Sequence, residues 1–147
     1  MKKSKSIFAS MWVVRIIILL MATSAFFMPT VGSYYNQLAN HGVDITFPIT
    51  IGLYILLIPA MATMVALHFL LNNIKKGNMF DKQNIAYLTL ISVGLFIIGA
   101  ICLGIATFSW VFSLISAAFL FVAVILLVVK NVFKQAVNIK EENDFTI

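Results

Sequence analysis

From Ile85 to Val129 the chain carries no charged residue. A single straight helix through this stretch would be about 68 Å long, more than twice the roughly 30 Å of a bilayer's hydrocarbon core. The stretch must therefore fold back on itself. The turn is expected at Thr107-Phe108-Ser109-Trp110, with Ser109 capping the following helix and Trp110 at a membrane interface. Composition extends the argument to the whole chain. Of 147 residues, 62% are hydrophobic and only 10% charged. That leaves too few charges to coat a water-soluble surface of this size, so lipid is the solvent for most of the molecule. The expected fold is an all-α integral membrane protein, a four-transmembrane-helix bundle of two antiparallel hairpins forming one domain (residues 1–147).

The first expected span covers residues 11–31, after a basic leader with Lys2, Lys3 and Lys5. A cleaved signal peptide with its site at Thr23-Ser24-Ala25 is the competing reading. The apolar run continues through Phe26, Phe27 and Met28, which favours an uncleaved span. Arg15 then snorkels to the headgroups, or alternatively faces the bundle and holds an anion. Gly32–Asp44 reads as a polar outer loop with Tyr34 and Tyr35 in an aromatic belt. His41 and Asp44 in that loop are too few for a closed metal site. The second span, 47–71, opens with Pro48 in its first turn, where a missing N–H costs nothing. Ala62 and Ala66 form a close-packing pair there, and His68 sits one turn from the span's end as an interfacial anchor or a proton-sensitive group. The third and fourth spans are expected at 85–107 and 110–132. Gly94, Gly99, the Ala100/Gly104 pair and the Ser113/Ala117 pair supply their helix contacts.

Between the hairpins lies a polar hinge, Asn72–Asn84 (NNIKKGNMFDKQN). Gly77 is expected as a left-handed cap ending one helix and Asp81 as the N-cap of the next. Phe80 and Ile85 have the spacing of a hydrophobic staple. After the fourth span comes a tail, 133–147, ending KEENDFTI. A solvated tail is the default, but Phe145 and Ile147 have no place in a purely polar end. An extended segment of this kind adds to a partner's sheet edge or fills a groove. With four spans, all ten lysines and arginines fall on the side of the two termini and the hinge. The positive-inside rule makes that side cytoplasmic. The net charge of +5 therefore reports membrane orientation rather than direct nucleic-acid binding.

No ionisable residue is expected near mid-bilayer, where membrane enzymes and pumps keep theirs. The sequence has no HExxH, no helical carboxylate pair and no phosphate-binding glycine loop. Its single cysteine, Cys102, rules out a disulfide framework or a multi-cysteine metal site and reads as a buried thiol. The expectation is a protein that is not an enzyme, with no catalytic, cofactor or metal site, and with Arg15 and His68 as its intramembrane polar residues.

The hinge and the tail together resemble the bacterial membrane family known as domain of unknown function 2975. Gly77, Phe80 and Asn84 match its Gly-x-x-Phe-x-x-x-Asn pattern, and Glu142, Asn143, Asp144, Thr146 and Ile147 match its Glu-Asn-Asp-Leu-Thr-Ile-like end. Phe145 replaces the usual leucine, and Gln83 stands where an acidic residue is common. The resemblance implies a four-span protein of similar size with no established biochemical activity. It also implies a partner, since members are often encoded beside a small helix-turn-helix regulator.

The leading expectation is thus a bacterial inner-membrane protein that regulates or informs such a regulator from the cytoplasmic face. Its docking residues are expected to be Gly77, Phe80, Asn84, Glu142, Asn143, Asp144, Phe145, Thr146 and Ile147. Other roles weighed are a bacteriocin self-immunity or envelope-stress protein working through the bilayer or the outer loop, and a small transporter or pore. Homo-oligomerisation within the bilayer is compatible with each.

Overall fold

The computed structural model describes residues 2–39 and 42–145. Helix α1 (Lys2–Ser24) leads through a 3₁₀ turn at Ala25–Phe27 into α2 (Met28–Ala39). Three long helices follow: α3 (Thr46–Lys75), α4 (Lys82–Ile105) and α5 (Val111–Phe145). The described residues contain no strand. Four helical runs are long and apolar enough to cross a membrane, the first being the broken α1–α2 run (Ser6–Leu38). The chain is an all-helical, multi-pass membrane protein.

The break in the first run follows from Pro29. Its ring nitrogen has no hydrogen to donate to the Ala25 carbonyl one turn back. The Tyr54 hydroxyl of α3 takes that place, donating to Ala25 O at 3.0 Å. An orphaned carbonyl inside lipid would be costly, so this bond both satisfies the break and ties α1 to α3. The polar stretch after the break is helix, not the loop expected from Gly32 onward. Gly32 lies buried where α2 packs on α3, and the Tyr35 hydroxyl donates to Ser109 Oγ while its ring meets Phe112 edge-on. These tertiary contacts hold residues 32–39 in the helix. Ser109, expected as a cap, is drawn into this contact instead.

The α1–α2 run packs on α3, α3 on α4, and α4 on α5, so α4 is the most enclosed helix. The α4–α5 seam is built from two reciprocal bonds two turns apart. Ser92 Oγ donates to Ala123 O at 3.1 Å, and Ser116 Oγ donates to Gly99 O at 2.7 Å. Both hydroxyls are buried. Such close approach needs small residues, and a Cβ on Gly99 would come within 2.8 Å of the Leu120 side chain. Of the small residues read from the sequence as helix contacts, Ala66, Gly94 and Gly99 are buried and the others are not. Ala62, Ala100, Gly104, Ser113 and Ala117 are exposed, and Thr63, Ser92, Gly94, Gly99 and Ser116 hold the interfaces. Spacing alone marks a small-residue stripe but not which way it faces.

Arg15 is exposed, with its guanidinium carbon 5.9 Å from the Trp12 ring. It therefore does not face the bundle. His68 is half-buried on α3; its Nδ1 is buried without a hydrogen-bond partner among the described residues, and its ring stands edge-on to Phe69. Cys102 is buried in α4.

At the α2–α3 corner, Ile45 N–H donates to Asn36 Oδ1 at 3.0 Å and Thr46 N–H to Asp44 Oδ1 at 2.9 Å. His41 lies outside the described residues. Asp44 thus serves the start of α3, and hydrogen bonds from the Thr46 side chain and then its backbone N–H hold the carboxyl below its usual range. A depressed carboxyl contributes stability above its unfolded value and loses it as pH falls through the folded one. Acidification below the ordinary carboxylate range should therefore release the Thr46 amide. Amide exchange measured against pH checks this: unchanged Thr46 protection after Asp44 protonates would contradict the capping role.

Candidate functional site

The hinge is built on two local signals that operate as the sequence predicts. Gly77 has φ +88°, a conformation that favours glycine. Around it Gly77 N–H donates to Ile74 O and Asn78 N–H to Asn73 O, both at 3.1 Å. That bond pair is a Schellman motif, which satisfies the last carbonyls of α3 and reverses the chain. On the other side Asp81 is extended and accepts from Gln83 N–H at 3.1 Å, capping α4.

Asn84 locks these two halves together. It is fully buried at 0% exposure. Its amide donates to Asn78 O at 2.6 Å and Met79 O at 2.9 Å, and its Oδ1 accepts from Asn73 Nδ2 at 3.2 Å. Asparagine is the right residue here because it offers donors and an acceptor from one short, uncharged group. The expectation that Asn84 docks a partner is corrected: no partner can reach it. It shapes the hinge from inside.

Beyond the hinge the tail departs from its expected form. Residues through Phe145 continue α5 as one helix of 35 residues rather than an extended segment. Nothing between Gln135 and Asn143 stops it; the stretch contains no glycine or proline and includes the helix formers Gln135, Ala136, Lys140, Glu141 and Glu142. Phe133 packs against the cluster of Ala66, Leu70, Leu88 and Ile91, and Val137 one turn later is 2% exposed. The tail is therefore held by packing on one face. From Gln135 to Glu141 its backbone bonds are spent within the helix, so this part has no free edge to offer a strand.

This helix extension returns to the hinge. Lys82 Nζ and Glu141 Oε1 lie 2.8 Å apart. A polar groove of about 340 Å³ opens between the two elements, lined by Gly77, Asn78, Phe80, Asp81, Lys82, Lys140 and Glu141. Next to it, an apolar groove is lined by Phe80, Ala136, Ile139, Lys140 and Asn143. Of the expected docking residues, Phe80 lines both grooves, Gly77 the polar one and Asn143 the apolar one. Glu142 and Asn143 are exposed on the helix, Asp144 and Phe145 occupy its last turn, and Thr146 and Ile147 lie outside the described residues. Phe80 shares both grooves with α5. Sequence reasoning missed Ala136, Ile139 and Lys140. Their signal was the three- and four-residue spacing of Ala136, Ile139, Lys140 and Asn143, which places them on one face once the helix is known to continue.

The Lys82–Glu141 pair is exposed, at 71% and 44% of its two side chains. Such pairs contribute about 0–1 kcal/mol, so Lys82→Ala should leave unfolding in detergent nearly unchanged. A loss well above 1 kcal/mol would mean that the pair, rather than Val137 and Phe133, holds the extension in place. No group of three or more His, Cys, Asp or Glu is placed to hold a metal ion among the described residues.

Comparison with known families bears on this region directly. A family model described as protein of unknown function (DUF2975) matches residues 33–147, a span that includes both the hinge and the α5 extension. The chain belongs to the DUF2975 family. No curated protein and no solved structure matches it. In this DUF2975 chain the two motifs that carried the resemblance have different physical roles. Gly77 and Asn84 build the hinge, while Phe80 and the α5 extension form its surface.

Proposed function

We propose that this protein is a regulatory or sensing component of the bacterial inner membrane, which binds a small cytoplasmic helix-turn-helix regulator at the hinge and the α5 extension. The reading takes the protein not to be an enzyme. The observation that carries it is the convergence of two segments distant in sequence on one grooved surface, with Phe80 47% and Ile139 58% exposed. Large apolar side chains left open at a helix end mark a contact surface when they cluster. The placement of that surface in the cytoplasm rests on the ten lysines and arginines, which share its side of the four spans.

Two measurements test the reading. Labelling of single cysteines placed at Asn78 and in the Thr107–Trp110 turn should report the first inside and the second outside. Co-expression with a small helix-turn-helix protein encoded beside the gene should move that protein to the membrane fraction, and Ile139→Glu should return it to the soluble fraction. A regulator that stays soluble beside the intact chain would sink the proposal.

A further inference from the structure

The apolar groove has a position and a chemistry that narrow what it can hold. Ile139 lies about 42 Å along α5 from Val111, beyond the roughly 30 Å of hydrocarbon that the helix crosses. Phe80 and Ile139 therefore stand outside the layer of lipid tails, and their exposure is not explained by membrane burial. The groove measures about 410 Å³. Its α5 wall, Ala136, Ile139, Lys140 and Asn143, is a helical ridge whose backbone groups are bonded within the helix up to its last turn. A strand has nothing to pair with there, whereas a second helix can lay side chains into it.

Charge then selects the kind of helix. Lys140 lines both the apolar groove and the polar one beside it. Lys140 is the charged residue that lines the apolar groove, and the neighbouring Glu141 is paired with Lys82. An apolar floor ending on an exposed ammonium is complementary to an apolar face flanked by a carboxylate.

We propose that the groove takes an amphipathic helix of a soluble protein, with apolar residues one turn apart covering Phe80 and Ile139 and an acidic residue beside them pairing with Lys140. This rests on the docking reading above and adds the chemistry of the partner.

The test uses the full chain in phosphatidylcholine nanodiscs and a displayed library of helical peptides. Each peptide has a randomised apolar face and flanks drawn from Glu, Lys and Gln. The enriched peptides should carry Glu at the flank. Their affinity should fall about tenfold on Lys140→Glu, recover when the peptide's Glu is changed to Lys, and fall similarly on Ile139→Glu. Lys134→Glu, outside both grooves, should change little. Binders that are lost on Ile139→Glu but show no charge preference or charge-swap recovery would overturn the acidic-helix inference and leave the docking reading standing. An empty selection, or binders indifferent to Ile139→Glu, would overturn both. A fluorophore at Ile139→Cys quenched by spin-labelled lipid would show lipid in the groove, and would also overturn both.

Discussion

Asn84→Asp is expected to destabilise the protein more than Asn84→Ala. Alanine removes three hydrogen bonds and leaves Asn78 O and Met79 O without the donor that served both, while the Asn73 amide keeps Gln83 Oε1 at 3.4 Å. Lost bonds and stranded polar groups of this kind amount to about 2–4 kcal/mol. Aspartate keeps the acceptor for Asn73 but turns an oxygen toward two carbonyls that now sit 2.6 and 2.9 Å from a donor. It thus replaces attraction with repulsion in a buried position. Unfolding by sodium dodecyl sulfate in mixed micelles orders the three proteins directly. If aspartate were as stable as asparagine, the amide would not be donating and the account of the hinge would be wrong. If the proposed partner docks at Phe80, the same variants should weaken its binding, because Asn78 and Met79 lead directly into Phe80.

The second large effect is expected at Gly94. A Cβ built there would fall on Thr63 Oγ1, whose hydroxyl donates to Pro59 O at 2.8 Å. Thr63 must turn away to admit it, losing that bond and pushing α3 from α4. Overpacking of this sort costs about 1–3 kcal/mol. Removing the obstacle should restore the fit, so Gly94→Ala combined with Thr63→Ala is expected to be more stable than the sum of the single changes predicts. A double-mutant cycle reads this coupling. Strict additivity would mean that the two residues do not meet.

Both effects concern residues whose meaning the sequence revealed only in part. Gly77 and Asp81 were legible because each acts on its own backbone within a few residues. Left-handed φ and an N-terminal cap are local chemistry, and no tertiary partner is needed to specify them. Asn84 carried no such signal: an asparagine in a polar hinge looks like a solvated residue until Asn73, Asn78 and Met79 close around it. Pro59 passed unnoticed in the middle of α3, where Thr63 and Gly94 take up its neighbourhood. The α5 extension was hidden by its charge, since Lys140, Glu141 and Glu142 suggest a loose tail when Val137's burial is unknown.

Membrane character, the number of crossings and the need for a turn within the long uncharged stretch follow from the sequence by itself. They rest on quantities summed along the chain, namely apolar length against bilayer thickness. Facing, register and the grooved surface between the hinge and α5 came only from the tertiary structure. Lipid and a neighbouring helix are equally apolar, so hydrophobicity cannot tell a membrane-facing Ala100 from an interfacial Gly99. Nor can it bring Phe80 to Ile139 across the length of two helices. That juxtaposition exists only because the α4–α5 seam carries α5 back past the hinge.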